Sequence, residues 1–110
     1  MFLRIVIKIN FYKPLSLVEY MSVVAVKIKL MPSSPATDMK LLEKDVIKLL
    51  EEEKVKNPNF EIQPIAFGLK ALIIMFGWPE DKELEPLEER FSQINDVNSV
   101  EVLDIRRAIG

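Results

Sequence analysis

Residues 69–77 read LKALIIMFG. Apart from Lys70 and Gly77 the run is apolar and only nine residues long, which suits a strand with both faces at least partly covered. Just upstream, Phe67-Gly68 breaks the apolar pattern, so a turn is expected there. Before that turn, FEIQPIAF places Phe60 and Ile62 on one side, as a second strand would. Pro64 makes this an edge strand or breaks it at a bulge, because proline cannot donate to a ladder.

Further upstream, SVVAVKIKLM alternates, with Val24, Val26, Ile28 and Leu30 against Ala25, Lys27 and Lys29. That is the period of a half-buried strand. PSSPATD is a turn cluster, and Thr37 or Asp38 can cap the next element by accepting from a free backbone N–H. MKLLEKDVIKLLEEEK then spaces Met39, Leu42, Val46 and Leu49 as a helix does. NPN is expected to stop it, since Pro58 biases Asn57 away from the α region. Downstream, WPEDKELEP leads into a helix whose first turn tolerates Pro86, with Leu84, Leu87, Phe91 and Ile94 as its stripe. VEVLDIRR reads as a last strand.

The order from Ser22 is strand, helix, strand, strand, helix, strand. This predicts an α+β, ferredoxin-like split βαβ fold: four antiparallel strands with two helices on one face. The other face is open, or covered by a partner or by the first residues. Residues 1–20 carry three basic residues and one acid, leaving 12 of 15 basic and 16 of 17 acidic residues to the rest. They read either as an extension ahead of a domain at 21–110, or as an edge strand LRIVIKI followed by a turn. Lys8 and Asn10 interrupt any signal-like or membrane-spanning run.

A length of 110 residues suits one domain, and 49% apolar with 29% charged residues is globular composition. Cysteine and histidine are both absent, which removes disulfides, thiolate chemistry and the commonest general base. No metal site or cofactor is expected. The net charge of −2 argues against duplex nucleic acid. Phe76 and Trp78 leave open a minor reading as base-stacking residues for single-stranded RNA. Glu51, Glu52 and Glu53 read as a solvated helix end, unfavourable against the dipole. Gly68 needs φ > 0 or a close approach, which would present Phe67 as an interface anchor; the plainer reading is a buried Phe67 beside a simple bulge. Arg106-Arg107 beside Asp104 is a docking patch or a solvated strand end.

The segments VVAVKIKLMPSSPATD, QPIAFGLKAL and VNSVEVLDIRRAI together resemble the archaeal form of the translation elongation factor 1 beta subunit, over Met21 to Ile109. The resemblance favours an extension for residues 1–20. It implies the same ferredoxin-like fold, a cytoplasmic site, and promotion of GDP-for-GTP exchange on elongation factor 1 alpha without covalent chemistry. That GTPase is the implied partner of a monomeric factor, with no direct nucleic acid and no membrane. The loop motif falls on Pro64, Ile65, Phe67, Gly68 and Lys70, with Phe67 docking outside the nucleotide-binding domain. The chain end falls on Asp104, Ile105, Arg106, Arg107 and Ile109, pressing on the nucleotide domain near its magnesium site. Eukaryotic members carry a lysine next to the last residue, whereas this sequence reads RRAIG, and arginine's planar fork is not a compact ammonium. A competing reading is a dimeric regulatory module that binds a small ligand over the apolar face of LKALIIMFG.

Overall fold

The computed structural model describes residues 23–107, so the expectations for residues 1–20 and for Ile109 lie outside it. Strand β1 (Val23–Pro32) is followed by helix α1 (Met39–Glu52), β2 (Asn59–Pro64), a short 3-10 turn (Ala66–Gly68), β3 (Lys70–Pro79), α2 (Glu85–Ser92) and β4 (Val97–Arg107). The sheet order is β2-β3-β1-β4, and all neighbours run antiparallel. This is the expected split βαβ arrangement, with β3 and β1 central and β2 on an edge, as Pro64 requires.

The register lines up one apolar row per strand. Val24, Val26, Ile28 and Leu30 of β1 face Trp78, Phe76, Ile74 and Leu72 of β3. Phe60 and Ile62 of β2 continue the row beyond Ile74 and Leu72, and Val102 and Val100 of β4 continue it beyond Ile28 and Leu30. Onto this side α1 packs Leu42, Val46, Leu49 and Leu50, and α2 packs Leu87 and Phe91, in one cluster. Both helices therefore cover the same face. Phe76 and Trp78 are buried in that cluster with their rings edge to face, centroids 6.0 Å apart. This corrects the base-stacking reading: both rings point under the helices rather than onto the open face, so neither can receive a base.

Helix α1 starts where Asp38 accepts from the backbone N–H groups of Lys40 and Leu41, at 3.1 and 3.2 Å. Its end differs from expectation. The helix stops at Glu52, several residues ahead of Pro58, because Lys54 turns left-handed (φ 64) and closes a Schellman motif. Val55 N–H donates to Leu50 O and Lys54 N–H to Glu51 O. Val55 is thereby packed into the core. Asn57, before the proline, also takes a left-handed conformation (φ 54).

The acids at this helix end are not simply solvated. Glu53 accepts from Lys82 Nζ and from Arg90 Nη1, each at 2.9 Å, and Glu52 accepts from Arg90 Nη2. The cations come from α2 and the loop before it, so they offset the unfavourable placement of acids against the α1 dipole. The hydrogen bond from Lys82 and the one from Arg90 hold the Glu53 carboxyl below its usual range, against the opposing effect of burial. Folding is therefore favoured above the unfolded glutamate value of about 4.3, and this contribution is lost as pH falls through the lower folded value. Arg90→Ala is expected to lower the thermal midpoint at pH 7, with the gap to the native chain closing below about pH 4. Melting curves from pH 7 to 3 check this; a gap that does not change with pH would remove the ion pairs as its source.

Candidate functional site

The segment between β2 and β3 makes a tight reversal. Pro64 faces Lys70 across the ladder, Ile65 N–H donates to Leu69 O at 2.7 Å, and Leu69 N–H donates to Ala66 O at 3.3 Å. Between these bonds both Phe67 (φ 62, ψ 31) and Gly68 (φ 77) are left-handed. Glycine adopts this backbone freely, but for a bulky aromatic residue it costs about 1–2 kcal/mol. A Cβ at Gly68 would meet only the Pro35 ring, at an ordinary 3.7 Å or more, so it is the dihedral angle that demands glycine there. Phe67 is 94% exposed. The reading of a buried phenylalanine beside a simple bulge is thus removed: the loop spends backbone strain to hold an apolar ring in water. Lys70 is exposed at the base of the same loop.

Asp104, Ile105, Arg106 and Arg107 lie elsewhere. They end β4, opposite Lys27, Val26, Ala25 and Val24 of β1. A bulge decides which way they face. Val102 pairs with Ile28 but Asp104 pairs with Lys27, leaving Leu103 as an extra residue. An unbroken ladder would have put Ile105 and Arg107 on the open face. The bulge instead places them in the rows of Val26 and Val24, on the helix side, and turns Asp104 and Arg106 to the open face. Leu103 and Ile105 stay exposed, at 40% and 54%. Arg106 Nε donates to Asp104 Oδ2 and Arg107 Nη2 to Glu80 Oε2, both at 2.7 Å.

The two groups occupy opposite ends of the sheet. The loop group flanks Lys70 at the start of β3, while the arginines lie beside the Val24–Trp78 pair near its end. Eight strand rises separate Lys70 from Trp78, about 26 Å along the strand at 3.3 Å each. The structure therefore gathers Pro64, Ile65, Phe67, Gly68 and Lys70 in one place and Asp104 to Arg107 in another. In the sequence Glu80 reads as ordinary solvated surface and Pro35 as part of a turn cluster; their neighbours Arg107 and Gly68, and the bulge at Leu103, are not legible there because each depends on a segment distant along the chain.

The open face between the two ends is mixed. Lys27 and Lys29 stand among Glu61, Glu101 and Asp104, and Ile73 is buried with Lys29 and Glu61 as ladder neighbours. Such long side chains cover apolar surface with their stems. A shallow depression of roughly 450 Å³ is lined by Ala25, Lys27, Asn59, Met75, Gly77 and Asp104, among others. Among the described residues no cluster of acidic side chains could hold a metal ion, and no helix is long and apolar enough to cross a membrane.

Residues 25–108 match the model of the EF-1 guanine nucleotide exchange domain. The chain belongs to that family. Among similar proteins, elongation factor 1-beta of Methanosarcina barkeri is 38% identical over 85 residues, covering 76% of this chain and 96% of its own length. Elongation factor 1-beta of Methanococcus aeolicus is 36% identical over 87 residues, 77% of this chain and 97% of its own. That of Methanocaldococcus jannaschii is 33% identical over 89 residues, 80% of this chain and all of its own. The exchange-domain match spans both the Phe67 loop and the end of β4 as far as the structure describes it.

The left-handed backbone gives a stability test of this exchange domain. Phe67→Gly is expected to stabilise the fold by about 1 kcal/mol by relieving the strained φ, and Gly68→Ala to destabilise it by a similar amount. Urea unfolding of both variants checks the signs; a destabilised Phe67→Gly chain would mean that the ring itself supports the fold.

Proposed function

We propose that this exchange domain promotes replacement of GDP by GTP on elongation factor 1 alpha, by binding that GTPase and stabilising its nucleotide-free state. A guanine nucleotide exchange role in translation elongation is that of its family and of its elongation factor 1-beta relatives. The observation that carries the finer reading is the exposed Phe67, held left-handed at one end of a sheet whose other end presents two arginines. Two contact groups about 26 Å apart along the strands suit a partner with two bodies. Phe67 anchors on the one outside the nucleotide site, with Pro64, Ile65, Gly68 and Lys70 shaping and rimming the loop. Ile105, Arg106, Arg107 and Ile109, with Asp104 steadying Arg106, work against the nucleotide-binding body.

Exchange of this kind forms no covalent bond, so it calls for neither a nucleophile nor a cofactor. The factor accelerates release only to the extent that it binds the empty GTPase more tightly than the GDP-bound one. The linkage is reciprocal, so added GDP weakens binding of the factor by the same ratio. We take the acting unit to be one copy working in the cytoplasm, with residues 21–110 as the exchange domain and residues 1–20 preceding it. The match over residues 25–108 supports that boundary.

Release of fluorescent GDP from the cognate elongation factor 1 alpha tests the proposal directly, and no acceleration would end it. Phe67→Ala is expected to raise the half-saturating concentration of the factor by about tenfold or more, as for a central aromatic anchor. An unchanged titration would remove the anchoring role. Truncation after Leu103 should lower the maximal release rate instead; a folded, fully active truncated chain would remove the role of the tail.

A further inference from the structure

Glu80 is the first residue beyond β3, in a turn that is tied down on several sides. Lys82 N–H donates to Pro79 O at 3.2 Å, closing the turn. The Trp78 indole Nε1, rooted in the core, donates to Lys82 O at 3.0 Å. The Lys82 ammonium reaches Glu53 at the end of α1 and lies 4.7 Å from the centre of the Trp78 ring. Glu80 thus projects from a fixed base, unlike a glutamate on a free loop. Its carboxylate takes Arg107, the residue that the Leu103 bulge turns to the helix side at the end of the edge strand β4.

We infer that Glu80 is a positioning residue for exchange: it holds the Arg107 guanidinium at the sheet end in the orientation that meets the nucleotide-binding body of the GTPase. A pair this exposed adds little to stability, because water screens it and two long side chains must be ordered. What it does supply is direction. A guanidinium has five donors in a planar fork, so a carboxylate that engages one edge leaves the other edge aimed outward. Without Glu80 the same cation samples many rotamers and must be ordered in the nucleotide-release step itself, after the factor has docked.

The inference rests on the reading of the tail given above, and a double-mutant cycle separates the two. Glu80→Gln, Arg107→Ala and the double variant are compared in fluorescent GDP release from elongation factor 1 alpha, using the full chain. Glu80→Gln is expected to lower the maximal rate about threefold, with the thermal midpoint and the half-saturating concentration nearly unchanged. The double variant should be no slower than Arg107→Ala, since Glu80 acts through Arg107. A reversed pair, Glu80→Arg with Arg107→Glu, should recover the salt bridge but not the rate.

Four results would overturn the inference. If Arg107→Ala is slow while Glu80→Gln is at the native rate, the positioning role falls and the tail reading stands. If both single variants are at the native rate, the assignment of Arg107 falls with it. Additive losses in the double variant would show that Glu80 acts independently of Arg107. Recovery of the rate by the reversed pair would reduce the contact to a structural tie.

Discussion

Everything in this fold hangs on the register between its two central strands. Leu72, Ile74, Phe76 and Trp78 of β3 lie opposite Leu30, Ile28, Val26 and Val24 of β1, and six of these eight side chains are at most 3% exposed. If β1 slipped by one residue against β3, the β3 row would keep its face and Ala25, Lys27 and Lys29 would be set against the helices. The cost of burying two ammonium groups rules that out. Both helices and both edge strands then find their places against a row already determined.

The same constraint produces the two ends proposed above as contact sites. β3 pairs with β2 over Lys70–Met75 and with β1 over Leu72–Pro79, so its start carries the reversal to β2 and its end carries the turn to α2. The first displays Phe67 and the second holds Glu80. A sheet is stiff along its strands, so the separation of the two ends is set by the count of residues in β3 rather than by any loop. An exchange factor benefits from such a ruler. Binding at one end places the other end at a defined point on the partner, and little entropy is left to lose there.

Among the described residues, backbone strain without a local explanation falls on Phe67. Besides Gly68, four described residues have positive φ, and three have a local role or a tolerant side chain: Lys54 closes the Schellman motif, while Asn57 and Asp96 are types that visit this region readily. Phe67 has neither excuse, and its ring makes no compensating burial. A backbone cost without a folding return is what a binding loop shows when its return comes from a partner. The opposite holds for Glu52 and Glu53, whose charges look misplaced on the helix until Arg90 and Lys82 are brought to them.

Local pattern alone determined the order of elements, the apolar rows of β1 and of both helices, and a cap at Thr37 or Asp38, because each follows from spacing and side-chain type within a few positions; at Pro64 it left an edge strand or a bulge, and at Gly68 a left-handed turn or a close approach. The resemblance of QPIAFGLKAL further pointed to Phe67 and to the family. Tertiary structure decided the rest. It sent Phe76 and Trp78 inward, since a strand with apolar residues on both faces does not declare which face the helices will take. It ended α1 early through the Schellman motif at Lys54, ahead of the stop that Pro58 predicts. It separated the loop from the tail by the length of β3. It also turned Arg107 toward Glu80, through an extra residue at Leu103 that only pairing with β1 reveals. Period and propensity are properties of neighbours in the chain; a bulge, an ion pair across elements and the distance between two ends exist only once distant segments are in contact.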